Sequence, residues 1–140
     1  MIRPKWDEIW MSLAIHIAER SHDPRLKVGS VVVTEDNTTV LAIGYNGDQS
    51  GGTNKPDQLI AGKSGFIHAE ANALIKMNYS DYRDKKIYLT HSPCIVCARM
   101  IVNSGIKKVV FCEEYRDTSG LEILKSANIK TENLKRSMSD

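Results

Sequence analysis

The chain has 140 residues, 41% hydrophobic and 26% charged, with 19 Lys and Arg against 17 Asp and Glu for a net charge of +2. That length is expected to make a single domain over residues 1–140 with a substantial core. No apolar run approaches the ~18 residues of a membrane span, and the charged start MIRPKWDEIW lacks the apolar stretch of a secretory signal. The basic residues are scattered apart from a thickening over 125–136, which argues against a polynucleotide-binding face. A cytoplasmic protein with no membrane and no nucleic-acid partner is therefore expected.

Trp6, Ile9, Trp10, Leu13 and Ile17 recur at steps of three and four, the stripe of a helix over 5–20 with both tryptophans in the core. Ser21-His22-Asp23-Pro24 ends it, leaving His16 on the helix and His22 beside the stop. The β-branched runs 28–33 and 40–43 flank a polar turn and read as an antiparallel hairpin. From 46 to 65 the chain is rich in Gly, Asn, Asp, Ser and Pro, too long for a plain connection and expected to be a binding loop or lid. A helix over 69–77, a strand over 86–90, a helix from 94 to 103 stopped by Gly105, a strand over 108–112 and a helix over 119–127 follow, with a short strand near Ile129. The class is α/β, a mixed sheet of about five strands covered by helices on both faces in three layers, α/β/α. The polar KRSMSD at the end is expected to fray.

His68-Ala69-Glu70 is followed, after a helix and a strand, by Pro93-Cys94-Ile95-Val96-Cys97. One imidazole and two thiolates make three ligands; a structural zinc takes four protein ligands, whereas a catalytic zinc takes three and leaves the fourth position to water. His68 and Cys94 each fall at the start of a predicted helix, where free N–H groups and the helix dipole favour thiolate and anion. Cys94 and Cys97, three apart, share one side of the first turn. Glu70, too close to His68 for a comfortable fourth ligand, is the candidate general acid and base, since an amine leaving group must be protonated. H-x-E with P-C-x-x-C is the established signature of zinc nucleobase deaminases. The competing reading is a purely structural zinc completed by Cys112 or His91; against it, Cys112 sits in the apolar run Val109-Val110-Phe111 as a small buried hydrophobe.

With Ser21-His22-Asp23-Pro24 and Val28-Gly29, Gly44-Tyr45-Asn46-Gly47, Asn72-Ala73, Ser92-Pro93-Cys94 with Cys97-Ala98, the run from Gly105 through Val110, and Tyr115, the chain resembles the deoxycytidylate (dCMP) deaminase family, within the cytidine-deaminase-like fold, over about residues 6–127. The resemblance implies hydrolysis of dCMP to dUMP and ammonia, activation by dCTP, inhibition by dTTP, Mg²⁺ with the triphosphate, and a hexamer. It implies that Asn46 contacts the deoxyribose and that the backbone groups of Ala69 and Cys94 meet the pyrimidine carbonyl and leaving amine. It also makes the region 44–52, with Gly44, Tyr45, Asn46, Gly47, Gly51 and Gly52, the effector loop. Ser92 belongs with the substrate residues, and Arg25, Lys27, Tyr115 and Arg116 are candidates for the substrate phosphate. Relatives bind a second, structural zinc through Cys and His residues in the middle loop; residues 47–67 contain none, so one Zn²⁺ per chain is expected. His91 stands where relatives often carry an apolar residue.

Two readings compete. A tRNA adenosine or polynucleotide cytidine deaminase would share the zinc core, but 6% aromatics and a small net charge speak against it. A nucleotide-sensing regulator without turnover would have no chemical need for Glu70.

Overall fold

The structure is a computed structural model, and it describes residues 2–135. Helix α1 (Trp6–Ala18) precedes a hairpin of β1 (Gly29–Thr34) and β2 (Val40–Tyr45). Then come α2 (Ala69–Lys76), β3 (Lys85–His91), α3 (Ile95–Ser104), β4 (Lys108–Glu113), α4 (Ser119–Ser126) and β5 (Lys130–Asn133). The elements and their order follow the sequence expectation, with the ends of each expected range moved by at most two residues. Gly105 closes α3 in the left-handed conformation, φ 86°, as a glycine at that position can. Of the polar C-terminal segment, only Lys135 falls within the described residues.

The sheet runs β2-β1-β3-β4-β5, with β1 antiparallel to β2 and β3, and β3, β4 and β5 parallel. Period-two alternation divides the core. Val32, Ile87, Leu89, Val109 and Phe111 meet α2, α3 and α4 through Leu74, Ala98, Ile101 and Leu124. Val31, Val33, Tyr88 and Val110 face α1. The result is the expected three-layer α/β/α arrangement.

Helix α1 differs from its predicted stripe. Trp10, Met11, Ala14 and Ala18 are its buried residues, whereas Trp6 is 48% exposed and stacks on Trp10 with ring centroids 5.3 Å apart. The small residues face inward because the helix backbone lies directly on β1: a Cβ on Gly29 would stand 2.0 Å from the Ala14 carbonyl oxygen. Large side chains on that line would hold the helix off, so counting large apolar residues points slightly to the wrong face.

Gly44 plays the same part for α2. A Cβ there would lie 2.3 Å from the Ala69 carbonyl oxygen and 2.7 Å from the Ala73 nitrogen. The Ser30 hydroxyl donates to the same Ala69 carbonyl at 2.8 Å. The first turn of α2 is thereby pinned on the hairpin by contacts only glycine allows. We predict that Gly44→Val, which must displace α2, lowers stability by about 1–3 kcal/mol or more in urea denaturation and lowers kcat with it. Unchanged stability and turnover would show that α2 accommodates a side chain there.

Candidate active site

The two helices that start beyond a loop and beyond the carboxyl end of β3 bring their first turns together. His68 is the N-cap of α2, and its side chain makes no capping hydrogen bond, which leaves the imidazole free. Cys94 is the N-cap of α3, and its sulfur accepts the Cys97 N–H at 3.4 Å. His68 Nδ1 lies 3.5 Å from Cys94 Sγ and 3.3 Å from Cys97 Sγ.

Zinc at ~2.05 Å from nitrogen and ~2.3 Å from sulfur, in tetrahedral geometry, sets N and S about 3.6 Å apart. The three atoms already stand close to that spacing, so the donor set fits Zn²⁺. Among the described residues, His68, Cys94 and Cys97 are the one group of His, Cys and carboxylate side chains gathered within 4.8 Å. Cys112 lies on β4, packed against the cluster facing α1, and neither it nor His91 joins the set. That removes the four-ligand structural reading.

The local electrostatics suit a cation. Cys94 is held down at about 4, chiefly by the hydrogen bond from the Cys97 thiol and also by His68, against an opposing effect of burial. Cys97 is pushed up by that same bond to Cys94, then by burial and the nearby Glu70. His68 is raised by its hydrogen bond to Cys94. The site therefore carries negative charge on Cys94, and a divalent cation among the three would draw off the remaining protons.

Glu70 is the second residue of α2 and 4% exposed. Burial raises its carboxyl above the ordinary range; its own backbone N–H and then His68 act in the opposite direction. A carboxyl so placed gives up its proton less readily than an exposed one, and more readily when positive charge gathers nearby.

These groups open into a cleft of about 470 Å³, open solvent at its mouth included, lined by His68, Ala69, Glu70 and Cys94, by Asp23, Leu26, Val28 and Asn46, by Gly62, Ser64 and Phe66, and by His91, Ser92 and Tyr115. Of the expected substrate residues, Asn46, Ala69, Ser92 and Tyr115 meet there. Ala69 supplies a first-turn amide, which has no intrahelical carbonyl to bond. The Ser92 hydroxyl accepts the Tyr115 N–H at 2.7 Å, tying the β4–α4 loop to the β3–α3 turn.

The Asn46 carboxamide is largely occupied by the fold. It accepts from Val28 N at 2.8 Å and donates to the Leu26 carbonyl at 2.7 Å and to Asp23 Oδ2 at 3.4 Å. It thus fixes the 23–28 wall and keeps only acceptor capacity at Oδ1 for a ligand hydroxyl.

Arg25 and Lys27 are exposed and absent from the lining, to which their neighbours Leu26 and Val28 contribute. Likewise Asp23 lines the cleft while His22 is exposed. In the expected effector region, Gly44 is buried under α2, Tyr45 is half-buried, and Gly47 pairs with Ile67 in an isolated bridge. Gly51 is exposed at φ 83°, and Gly52 lies against the Asp48 carboxylate. Only Asn46 of that set reaches the cleft. The sequence did not single out Leu26, Gly62, Ser64 or Phe66, and marked Asp23 and Val28 only as carriers of the family resemblance; Phe66, the aromatic two residues before His68 in a polar loop, was a further visible signal.

A three-ligand metal site on two converging helix starts, with a buried carboxyl beside it at the edge of a mixed sheet, defines a zinc hydrolase of the deaminating kind. Residues 4–113 match the family model described as the cytidine and deoxycytidylate deaminase zinc-binding region. The chain is 36% identical over 129 residues to the deoxycytidylate deaminase of Mycobacterium phage D29, covering 81% of this chain and 99% of that protein. It is 32% identical to the Homo sapiens deoxycytidylate deaminase over 123 residues, 81% of this chain and 68% of that one. The crystal structure of dCMP deaminase from the cyanophage S-TIM5 in complex with dCMP and dUMP superposes with a TM-score of 0.81 at 34% identity, covering 95% of this chain and 99% of that one. The chain belongs to the cytidine and deoxycytidylate deaminase family.

Proposed function

We propose that this chain, acting as one domain, hydrolyses dCMP to dUMP and ammonia. The observation that carries the reading is a buried Glu70 carboxyl beside a His68, Cys94 and Cys97 set whose spacing suits zinc, all lining one cleft. The choice of dCMP is supported by the relatives named deoxycytidylate deaminase and by the S-TIM5 enzyme, whose structure holds dCMP and dUMP.

His68 Nδ1 and the sulfurs of Cys94 and Cys97 would hold Zn²⁺, which when bound supplies a Lewis acid that brings the pKa of water toward ~7. Glu70 takes a proton from the attacking water and passes it on toward the cytosine ring and the amine. Water adds its oxygen at the ring carbon C4, the C4–N4 bond breaks, and nitrogen leaves as ammonia with the transferred protons. The amide of Ala69 and the Asn46 Oδ1 orient the base and the sugar, and the apolar Leu26, Val28 and Phe66 exclude bulk water.

Regulation forms part of the same proposal: dCTP activates and dTTP inhibits through the 44–52 region in a hexamer supplying pyrimidine nucleotides in the cytoplasm. The Asp48 carboxylate, which accepts the N–H groups of Gln49 and Asn54, would repel a bare triphosphate and accords with an accompanying Mg²⁺. Among the described residues no helix is long and apolar enough to cross a membrane.

Ammonia release from dCMP, CMP, deoxycytidine and an RNA stem-loop, with and without dCTP and Mg²⁺, tests the reading. The expected result is a preference for dCMP and stimulation by dCTP. Exclusive activity on the stem-loop would replace it with nucleic-acid editing.

A further inference from the structure

Asp23 is only 2% exposed, yet it belongs to the wall of the cleft. The stop of α1 fixes its place. There the Ser21 hydroxyl donates to the Asn46 carbonyl at 2.7 Å and accepts the Asp23 N–H at 3.1 Å. Asp23 Oδ1 in turn accepts the N–H groups of Arg25 at 2.8 Å and Leu26 at 3.2 Å. The turn asks nothing more of this side chain, and the amide oxygen of an asparagine would serve it equally. The second carboxylate oxygen is left over: Oδ2 has only the long contact from Asn46 Nδ2 at 3.4 Å.

No cation answers that charge. Among the described residues Asp23 makes no ion pair, and the cleft lining holds no lysine or arginine. Arg25 and Lys27 are exposed, and Arg116 donates Nη2 to the Ala61 carbonyl at 3.2 Å. A buried carboxylate without a cation is costly unless hydrogen-bond donors surround it, and Oδ2 is short of donors. The wall therefore presents acceptors on two neighbouring side chains, Asp23 Oδ2 and the spare capacity of Asn46 Oδ1, and the ligand group that suits them is a hydroxyl. The sugar of dCMP offers a single one, at the 3′ position, because its 5′ oxygen carries the phosphate and its 2′ carbon carries only hydrogen.

We infer that Asp23 is a specificity-determining residue that accepts the 3′-hydroxyl of the deoxynucleotide and, by its charge, turns away substrates phosphorylated at that position. This rests on the dCMP reading above. It assigns the restriction to free mononucleotides to the turn after α1, outside the zinc motif. A cytosine within a DNA or RNA strand carries a phosphate on its 3′ oxygen, and in a cleft without cations that phosphate and the Asp23 carboxylate repel each other.

The test compares steady-state kinetics of the zinc-loaded wild type, Asp23→Asn and Asp23→Ser on dCMP, 2′,3′-dideoxycytidine 5′-monophosphate and deoxycytidine 3′,5′-bisphosphate. In the wild type, kcat/KM on dCMP is expected to exceed that on the dideoxy analogue about 10–100-fold, the worth of a hydrogen bond to a charged group. The bisphosphate should be poorer still. Asp23→Asn keeps the oxygen that the turn needs, and in it the preference for dCMP over the dideoxy analogue should shrink to about three-fold or less, as for any pair of changes that remove the same contact. The handicap of the bisphosphate should shrink with it. Asp23→Ser, whose hydroxyl still accepts the N–H groups of the turn, should behave alike and serves if the first variant does not fold. Variants that lose activity equally on all three substrates, as a purely structural turn residue would require, overturn the assignment. So does a wild-type protein indifferent to the 3′-hydroxyl, which needs no variant to see. A wild-type protein that fails to turn over dCMP itself would instead sink the parent reading.

Discussion

Glu70→Gln is expected to lower kcat on dCMP by about 10²–10⁴-fold, the range that a positioned general acid and base contributes, while zinc content stays near one per chain. Glu70 stands one turn position inside α2, two residues from the His68 ligand, buried but outside the ligand set. Glutamine keeps the volume and can still bond the backbone N–H that Glu70 bonds, so the fold and the metal survive. What is lost is the ability to take a proton from water and return it to nitrogen. Metal analysis and thermal unfolding, run beside the assay, separate this from collapse of the site. Full activity with full zinc in Glu70→Gln would remove Glu70 from the chemistry; loss of zinc would make it a ligand.

The second large effect concerns Cys97, which is 1% exposed and lies in the first turn of α3. Cys97→Ser removes one of three ligands at nearly constant volume, and turnover is expected to fall to background together with bound zinc. Helix α3 should persist, since Ala98 and Ile101 bury it against the sheet. Zinc at ~1,000 times its dissociation constant adds about 4 kcal/mol to the folded state. A chelator should therefore lower the Tm of the wild-type protein by about 10 °C and leave that of Cys97→Ser almost unmoved. A variant that keeps stoichiometric zinc, or a wild-type Tm indifferent to chelation, would contradict the ligand set.

The candidate zinc site was legible in the sequence because it depends on residue types at fixed short spacings. His68 and Glu70 share one helix start, Cys94 and Cys97 another, and helix geometry does the rest. The sheet was legible for a similar reason, since runs such as Val31-Val32-Val33 admit few alternatives.

What could not be read depends on phase and on long-range contact. In the irregular stretch after Pro24 nothing local says whether odd or even residues face inward, so Arg25 and Lys27 looked as eligible as Leu26 and Val28. Gly44 looked like part of a phosphate loop because its neighbours Asn46 and Gly47 do; only the approach of Ala69, 25 positions later in the chain, explains it. Trp6 shows the converse error, in which a large apolar residue suggested burial while Ala14 and Ala18 made the contact.

The most direct measurement is product analysis of dCMP incubated with the purified, zinc-loaded wild-type protein. Equal amounts of dUMP and ammonia, abolished by chelation and restored by Zn²⁺, are the predicted result. Recovery of unchanged dCMP from protein carrying one zinc per chain, whether or not dCTP and Mg²⁺ are present, would contradict the account.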